Sequence, residues 1–168
     1  MRAINAKKLG VYDRTMYRDS EREWISDGAW AVKRNLLLNP SFFSDDDSIA
    51  VYLKSDFVRE ISMSRSLEKF DDKTYVIVNR SPWHYKMSNK GTMATALYDD
   101  DGAFLAVVKS HYLDTIDNDG ILTWWGKDDI SPLFATSGSD NVVAIVMPIS
   151  IKNREIEELN SFIGFLDK

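Results

Sequence analysis

Aspartate does most to constrain how this chain can fold. It supplies 19 of the 26 acidic residues and falls in tight groups: Asp45-Asp46-Asp47, Asp71-Asp72, Asp99-Asp100-Asp101, Asp114 with Asp117 and Asp119, and Asp128-Asp129. An aspartate side chain hydrogen-bonds its own backbone and tolerates turn conformations, so these groups mark joints between elements. They divide the chain into short apolar segments, and the segments define the expected fold.

Residues 9–12 read as a short strand. The stretch Trp24–Val32 reads as a hairpin turning at Asp27-Gly28, with Ile25 opposite Trp30; a helix starting near Asp27 is the rival. Residues 49–53, Ile-Ala-Val-Tyr-Leu, read as a strand or as the lead-in to a helix over about 55–69. Ser55 would cap that helix. Its apolar positions Phe57, Ile61, Met63, Leu67 and Phe70 drift around the helix and form no single stripe. Thr74–Asn79 reads as a strand ending before Pro82. Met93–Tyr98 and Ala103–Val108 flank Asp99-Asp100-Asp101-Gly102, which predicts a type I turn closing into a glycine bulge. That register pairs Tyr98 with Phe104 and Leu97 with Leu105, and the second strand extends toward His111 and Tyr112. Val142–Met147 is uniformly apolar, as in a central strand covered on both faces. The chain closes with an amphipathic helix over about 154–166, in which Ile156, Leu159, Ile163 and Leu166 recur at helical spacing.

With no repeat and no linker, the expectation is one globular domain over 1–168, long enough to bury roughly 70 % of its unfolded surface. Its class is α+β: a mainly antiparallel sheet built from hairpins, with the middle and C-terminal helices packed on one face. The chain contains no Cys, which removes disulfides, thiol catalysis and thiolate metal sites. With no leader-like apolar stretch near Met1, a soluble cytoplasmic protein is expected. A net charge of −5 argues against direct binding to nucleic acid or to anionic membranes.

Catalytic signatures are lacking. The eight glycines are scattered, so neither a dinucleotide fingerprint nor a phosphate loop is present. Ser137-Gly138-Ser139 is a loop, not a nucleophile elbow. Only His84 and His111 offer imidazole chemistry, and each reads first as a surface or structural residue. Residues 114–120 echo a calcium loop, with Asp117 and Asp119 as weak metal ligands, but the twelfth position is Gly126 where Glu is required. A solvated turn fits that stretch better. No cofactor is expected. Arg80-Ser81-Pro82-Trp83-His84-Tyr85-Lys86 groups two rings between cations, and Trp124-Trp125 pairs a core ring with one free to face outward. Trp83, Tyr85 and Trp125 are therefore candidate contacts.

The function expected is a small acidic binding or regulatory domain, inhibitory in one version, that works through a protein partner. Asp99, Asp100 and Asp101 would form its contact tip, and a basic nucleic-acid-binding protein is one class of partner. The alternatives are a small metal-dependent hydrolase or nuclease, using Asp carboxylates with His84 or His111 as base, and a subunit of a larger assembly.

Overall fold

A computed structural model describes residues 2–11, 14–43, 45–70, 73–86, 93–138 and 141–149, the side chains of 42, 57 and 82–86 excepted. The expected helix over 154–166 lies outside these residues. The chain has mixed α+β content with a large, mainly antiparallel sheet, as the sequence predicts. Eight strands make that sheet: β1 (Thr15–Asp19), β2 (Trp24–Ser26), β3 (Trp30–Lys33), β4 (Phe57–Ile61), β5 (Val76–Ile77), β9 (Thr123–Gly126), β10 (Leu133–Ser137) and β11 (Asn141–Val146). Their order is β4-β1-β2-β3-β11-β10-β9-β5, and β1 with β4 is a parallel pair. A second sheet joins β6 (Asn79–Lys86), β7 (Met93–Tyr98) and β8 (Phe104–Lys109). The helices are α1 (Ala6–Leu9), α2 (Asp46–Leu53), α3 (Met63–Glu68) and α4 (Ser110–Ile116).

Side chains alternate across the large sheet because successive residues of a strand point to opposite faces. Ile25, Trp30, Val32, Trp124, Leu133, Ala135, Ala144 and Val146 face a main core shared with α1, α2, α4 and the small sheet. Trp24, Ala31, Trp125, Phe134 and Ile145 face a second core closed by Ile61, Met63, Leu67, Phe70 and Tyr75. The helices are thus divided between the two faces and not gathered on one. β11 lies between β3 and β10, buried from Val143 to Val146, as its apolar run predicts.

Several elements differ from the sequence reading. In place of a strand at 9–12, Leu9 closes α1 and Gly10 turns the chain at φ 76°. The 24–32 hairpin forms with a shifted register: Ile25 pairs with Val32, and the turn is Gly28-Ala29. Gly28 supplies the positive φ (95°) that such a turn needs at its first position. Asp27 stays before the turn, where its Oδ1 accepts from the Ala29 and Trp30 amides. The predicted strand at 49–53 is helical, and the middle helix over 55–69 is two elements, β4 and α3. Ser55 caps neither. Asp45 caps α2 instead, accepting from the Ser48 amide at 3.0 Å and the Ser48 hydroxyl at 2.9 Å, with Asp46 and Asp47 in the first turn. The predicted strand at 74–79 passes from the large sheet to the small one at Val78.

The Asp45 cap gives a pH signature. The hydrogen bond from the Ser48 amide, then that from its hydroxyl, hold the Asp45 carboxyl below its ordinary range. A folded pKa below the unfolded one means the cap stabilises fully above the unfolded value and loses its effect as pH falls through the folded one. The unfolding temperature should therefore fall more steeply with acid in the wild type than in Asp45→Asn as pH drops through and below the ordinary carboxylate range. Parallel curves would remove the charge from the cap's role.

Candidate functional site

The β7–β8 hairpin carries the predicted acidic tip. Asp99 builds it: its amide donates to the Ala103 carbonyl, its carbonyl accepts from the Gly102 amide, and its Oδ1 accepts from the Asp101 and Ala103 amides at 3.0 and 2.9 Å. Gly102 supplies the left-handed residue of the bulge at φ 81°. Asp100 Oδ1 accepts from the side-chain Nδ2 of Asn79 at 2.8 Å, and both Asp100 and Asp101 are exposed. Among the described residues no Lys or Arg pairs with any of the three carboxylates. Tyr98 pairs with Phe104 as predicted, but Leu97 pairs with Ala106 and not with Leu105. The bulge turns Leu105 onto the main core, against Gly126.

The other predicted site residues do not gather into one place. His111 lies on α4, not on a continued strand, and its Nε2 is 3.1 Å from the Leu9 carbonyl oxygen, with its ring against Tyr112. Asp114, three residues on, meets Arg80 at 3.4 Å. Trp83, His84 and Tyr85 have a described backbone in β6, where His84 pairs with Thr95 and Tyr85 with Ala94; their side chains lie outside the described residues. Trp125 is half-buried, donates to the Thr136 hydroxyl at 3.0 Å and packs on Phe70.

The calcium-like stretch is a turn whose carboxylates already hold protein donors. Asp117 is buried, and its two oxygens accept from the Leu122 amide and from Trp124 Nε1 at 3.2 and 3.1 Å. Asp119 accepts from the Arg2 amide at 3.0 Å. At Gly126, where the motif wants a glutamate, even a Cβ would come within 2.3 Å of Leu105 Cδ2 and 2.9 Å of Leu133 Cδ2. The described residues do bring Asp19, Glu21 and Glu23 together, with carboxylate oxygens within 4.8 Å of one another. One oxygen of Asp19 is already committed to the Glu23 and Trp24 amides.

A feature the sequence reading missed is a cleft of about 650 Å³ beside the second core. The large sheet contributes Tyr17, Ala31 and Ile145, and the chain around α3 contributes Ile61, Met63, Ser66 and Lys69. Tyr75 and the turn Lys127–Pro132 complete it, with Met147 beyond β11. Asp128 stiffens that turn by accepting from the Ile130 and Ser131 amides at 3.0 and 2.6 Å. Burial pushes the Asp128 carboxyl up. Hydrogen bonds from Ser131 and Ile130, with Lys127 beside it, outweigh that and hold it below its usual range. Burial, then the charge of Asp128, pushes the Tyr75 phenol up, so this wall of the cleft stays neutral.

No described helix is long and apolar enough to cross a membrane. Comparison with family models, curated proteins and solved structures finds no match to the chain.

Proposed function

We propose that this chain is a non-enzymatic binding or regulatory domain of the cytoplasm that acts through a protein partner. The observation that carries this reading is the rigid acidic tip of the β7–β8 hairpin. Four hydrogen bonds about Asp99 fix the turn, so the backbone that carries the exposed Asp100 and Asp101 is set before any partner arrives. Pre-organisation lowers the ordering entropy that binding would otherwise cost. Carboxylates that no Lys or Arg among the described residues pairs with favour a basic face on the partner, and such charges act mainly on the association rate. A basic nucleic-acid-binding protein fits that description, with the domain inhibiting it by covering its phosphate-binding surface.

The test has to leave Asp99 alone, because it builds the turn. Asp100→Asn with Asp101→Asn removes two charges from exposed positions and keeps the fold. Tagged wild-type and variant proteins are passed over extract of the native cell, and the retained proteins are compared by mass spectrometry. A basic partner held by the wild type should fall about tenfold with the variant, and its retention should weaken steeply with added salt. Equal retention by the two proteins would remove the tip from the contact.

A further inference from the structure

We propose that the cleft beside the second core binds a small amphipathic anion: an apolar body carrying one carboxylate, sulfonate or similar group. The acidic tip plays no part in this, so the inference stands independently of the partner reading above.

Three features of the cleft converge. The first is charge. The chain carries 26 acidic residues against 21 Lys and Arg, yet the lining contains Lys69 and Lys127 and no carboxylate among the described residues. Both lysines are exposed, Lys127 with Asp128 beside it, and neither closes an ion pair among the described residues. The charged side chains of the lining are thus both cationic, and the nearby Asp128 carboxylate is engaged by the Ile130 and Ser131 amides. In an overall negative protein such a concavity favours anions, because wall charges of one sign focus the local field.

The second is apolar surface left in water. Ile130 is 67 % exposed and Met147 38 % exposed, and both line this cleft. The backbone of the turn that carries Ile130 is fixed by Asp128, which accepts from the Ile130 and Ser131 amides. Further in, Ile61, Met63, Ala31 and Ile145 continue the apolar lining. Apolar walls with a few polar groups placed to orient the ligand are the usual make-up of a small-molecule site. The polar groups here include the hydroxyls of Tyr17, Ser26, Ser66, Tyr75 and Ser131 together with the two lysines.

The third is size. About 650 Å³ lies in the middle of the range for pockets that enclose a ligand of drug-like dimensions. A stable protein interface covers roughly 800 Å² on each partner, far more than two exposed apolar side chains beside a concavity supply. A second copy of the chain or a partner protein therefore fits this place less well than a small molecule does.

The probe is 8-anilinonaphthalene-1-sulfonate, a fluorescent aromatic body with one anionic group, and the competitor is dodecanoate. The folded full-length protein should bind the probe saturably, one per chain, with a dissociation constant on the order of 10 µM. Dodecanoate should displace it, and dodecanol, which lacks the charge, should do so far less well. Lys69→Met with Lys127→Met should weaken probe binding about tenfold, as expected for the loss of two exposed charge contacts. N-phenyl-1-naphthylamine, the same kind of body without the sulfonate, should bind that variant and the wild type alike. All four substituted positions in this and the next comparison are exposed, and near-UV circular dichroism checks that the fold is intact. Ile130→Asp with Met147→Asp should weaken both probes, whereas Asp100→Asn with Asp101→Asn should leave both unchanged. Absence of saturable binding, or a sulfonate affinity indifferent to the lysine substitutions, would overturn the proposal. So would a dimer seen by light scattering that disappears in the Ile130→Asp, Met147→Asp variant, since the cleft would then be a self-association surface.

Discussion

Replacing Phe134 by alanine is expected to lower the unfolding free energy by about 3–5 kcal/mol. Phe134 is fully buried on β10, between β9 and β11. Its ring centroid lies 5.1 Å from that of Phe70 and 5.2 Å from that of Tyr75, the latter edge-to-face at 80°. Truncation removes the burial of a large ring and both aromatic contacts, and the surrounding strands cannot collapse into the space. A domain of this size is typically stable by about 5–15 kcal/mol, so the loss is a large fraction of the whole. Phe134→Leu keeps most of the volume and should cost less than about 1.5 kcal/mol. Urea unfolding followed by far-UV circular dichroism and by tryptophan fluorescence measures both. A Phe134→Ala loss near that of the leucine variant would mean that the second core is not packed around this ring. Tyr75 and Met63 share that core and line the cleft, so the alanine variant should also bind the amphipathic probe more weakly at temperatures where it remains folded.

The sequence made some of this architecture legible and hid the rest for reasons that can be named. The Val142–Met147 run and the Asp99–Gly102 turn were readable because each depends on local chemistry: unbroken apolarity in one, the positive φ of glycine in the other. Residues 49–53, read as a strand or as the lead-in to a later helix, belong to α2; taken alone, Ile49-Ala50-Val51-Tyr52-Leu53 suits a strand as well as a helix. The signal that decides for a helix is four residues upstream of Ile49, where Asp45 caps at Ser48 and two further acids favour the helix N-terminus. The drift of apolar positions over 57–70 was a sign of two elements of different period, β4 and then α3, and no single helix could satisfy it. Asp117 shows the limit of motif reading. Its spacing to Asp119 and Gly120 suits a cation loop, but its actual partner is the indole of Trp124, seven residues on. The cleft was invisible for a different reason. Its lining comes from near residues 17–31, 61–75, 127–132 and 145–147, and no one of those segments carries a pattern. Only the pairing of β3 with β11, and the packing of α3 over them, brings the pieces together.

The second large effect is expected at Asp46, where loss of one carboxylate strands a buried cation. Asp46 lies in the first turn of α2 and meets two guanidinium groups. Arg18 Nε on β1 donates to one of its oxygens, and Arg34 Nη2 donates to the other at 3.3 Å. The hydrogen bond to Asp46 is the largest influence holding the Arg18 guanidinium above its usual pKa. Arg18 retains Glu60 at 3.4 Å and the Asp19 carbonyl if Asp46 is removed. Arg34 is less well provided for. Its side chain is 9 % exposed, Nη1 donates to the Phe43 carbonyl, and Nε has no hydrogen-bond partner among the described residues. Asp46→Ala would leave that charge buried with a single neutral acceptor. Breaking a buried ion pair by removing one member costs about 3–5 kcal/mol, and the quarter exposure of Asp46 places the expected loss near 3 kcal/mol. The same reasoning fixes the sign of the double variant. Arg34→Met together with Asp46→Ala takes away both charges and fills the space with an apolar chain, so it should recover more than half of the single variant's loss. Arg34→Met alone should be milder than Asp46→Ala, because Asp46 keeps Arg18 and some contact with water. Denaturant unfolding of the four proteins in one double-mutant cycle measures the coupling. A double variant no more stable than Asp46→Ala would show that the cost comes from lost packing of α2 against β1 and not from the stranded guanidinium.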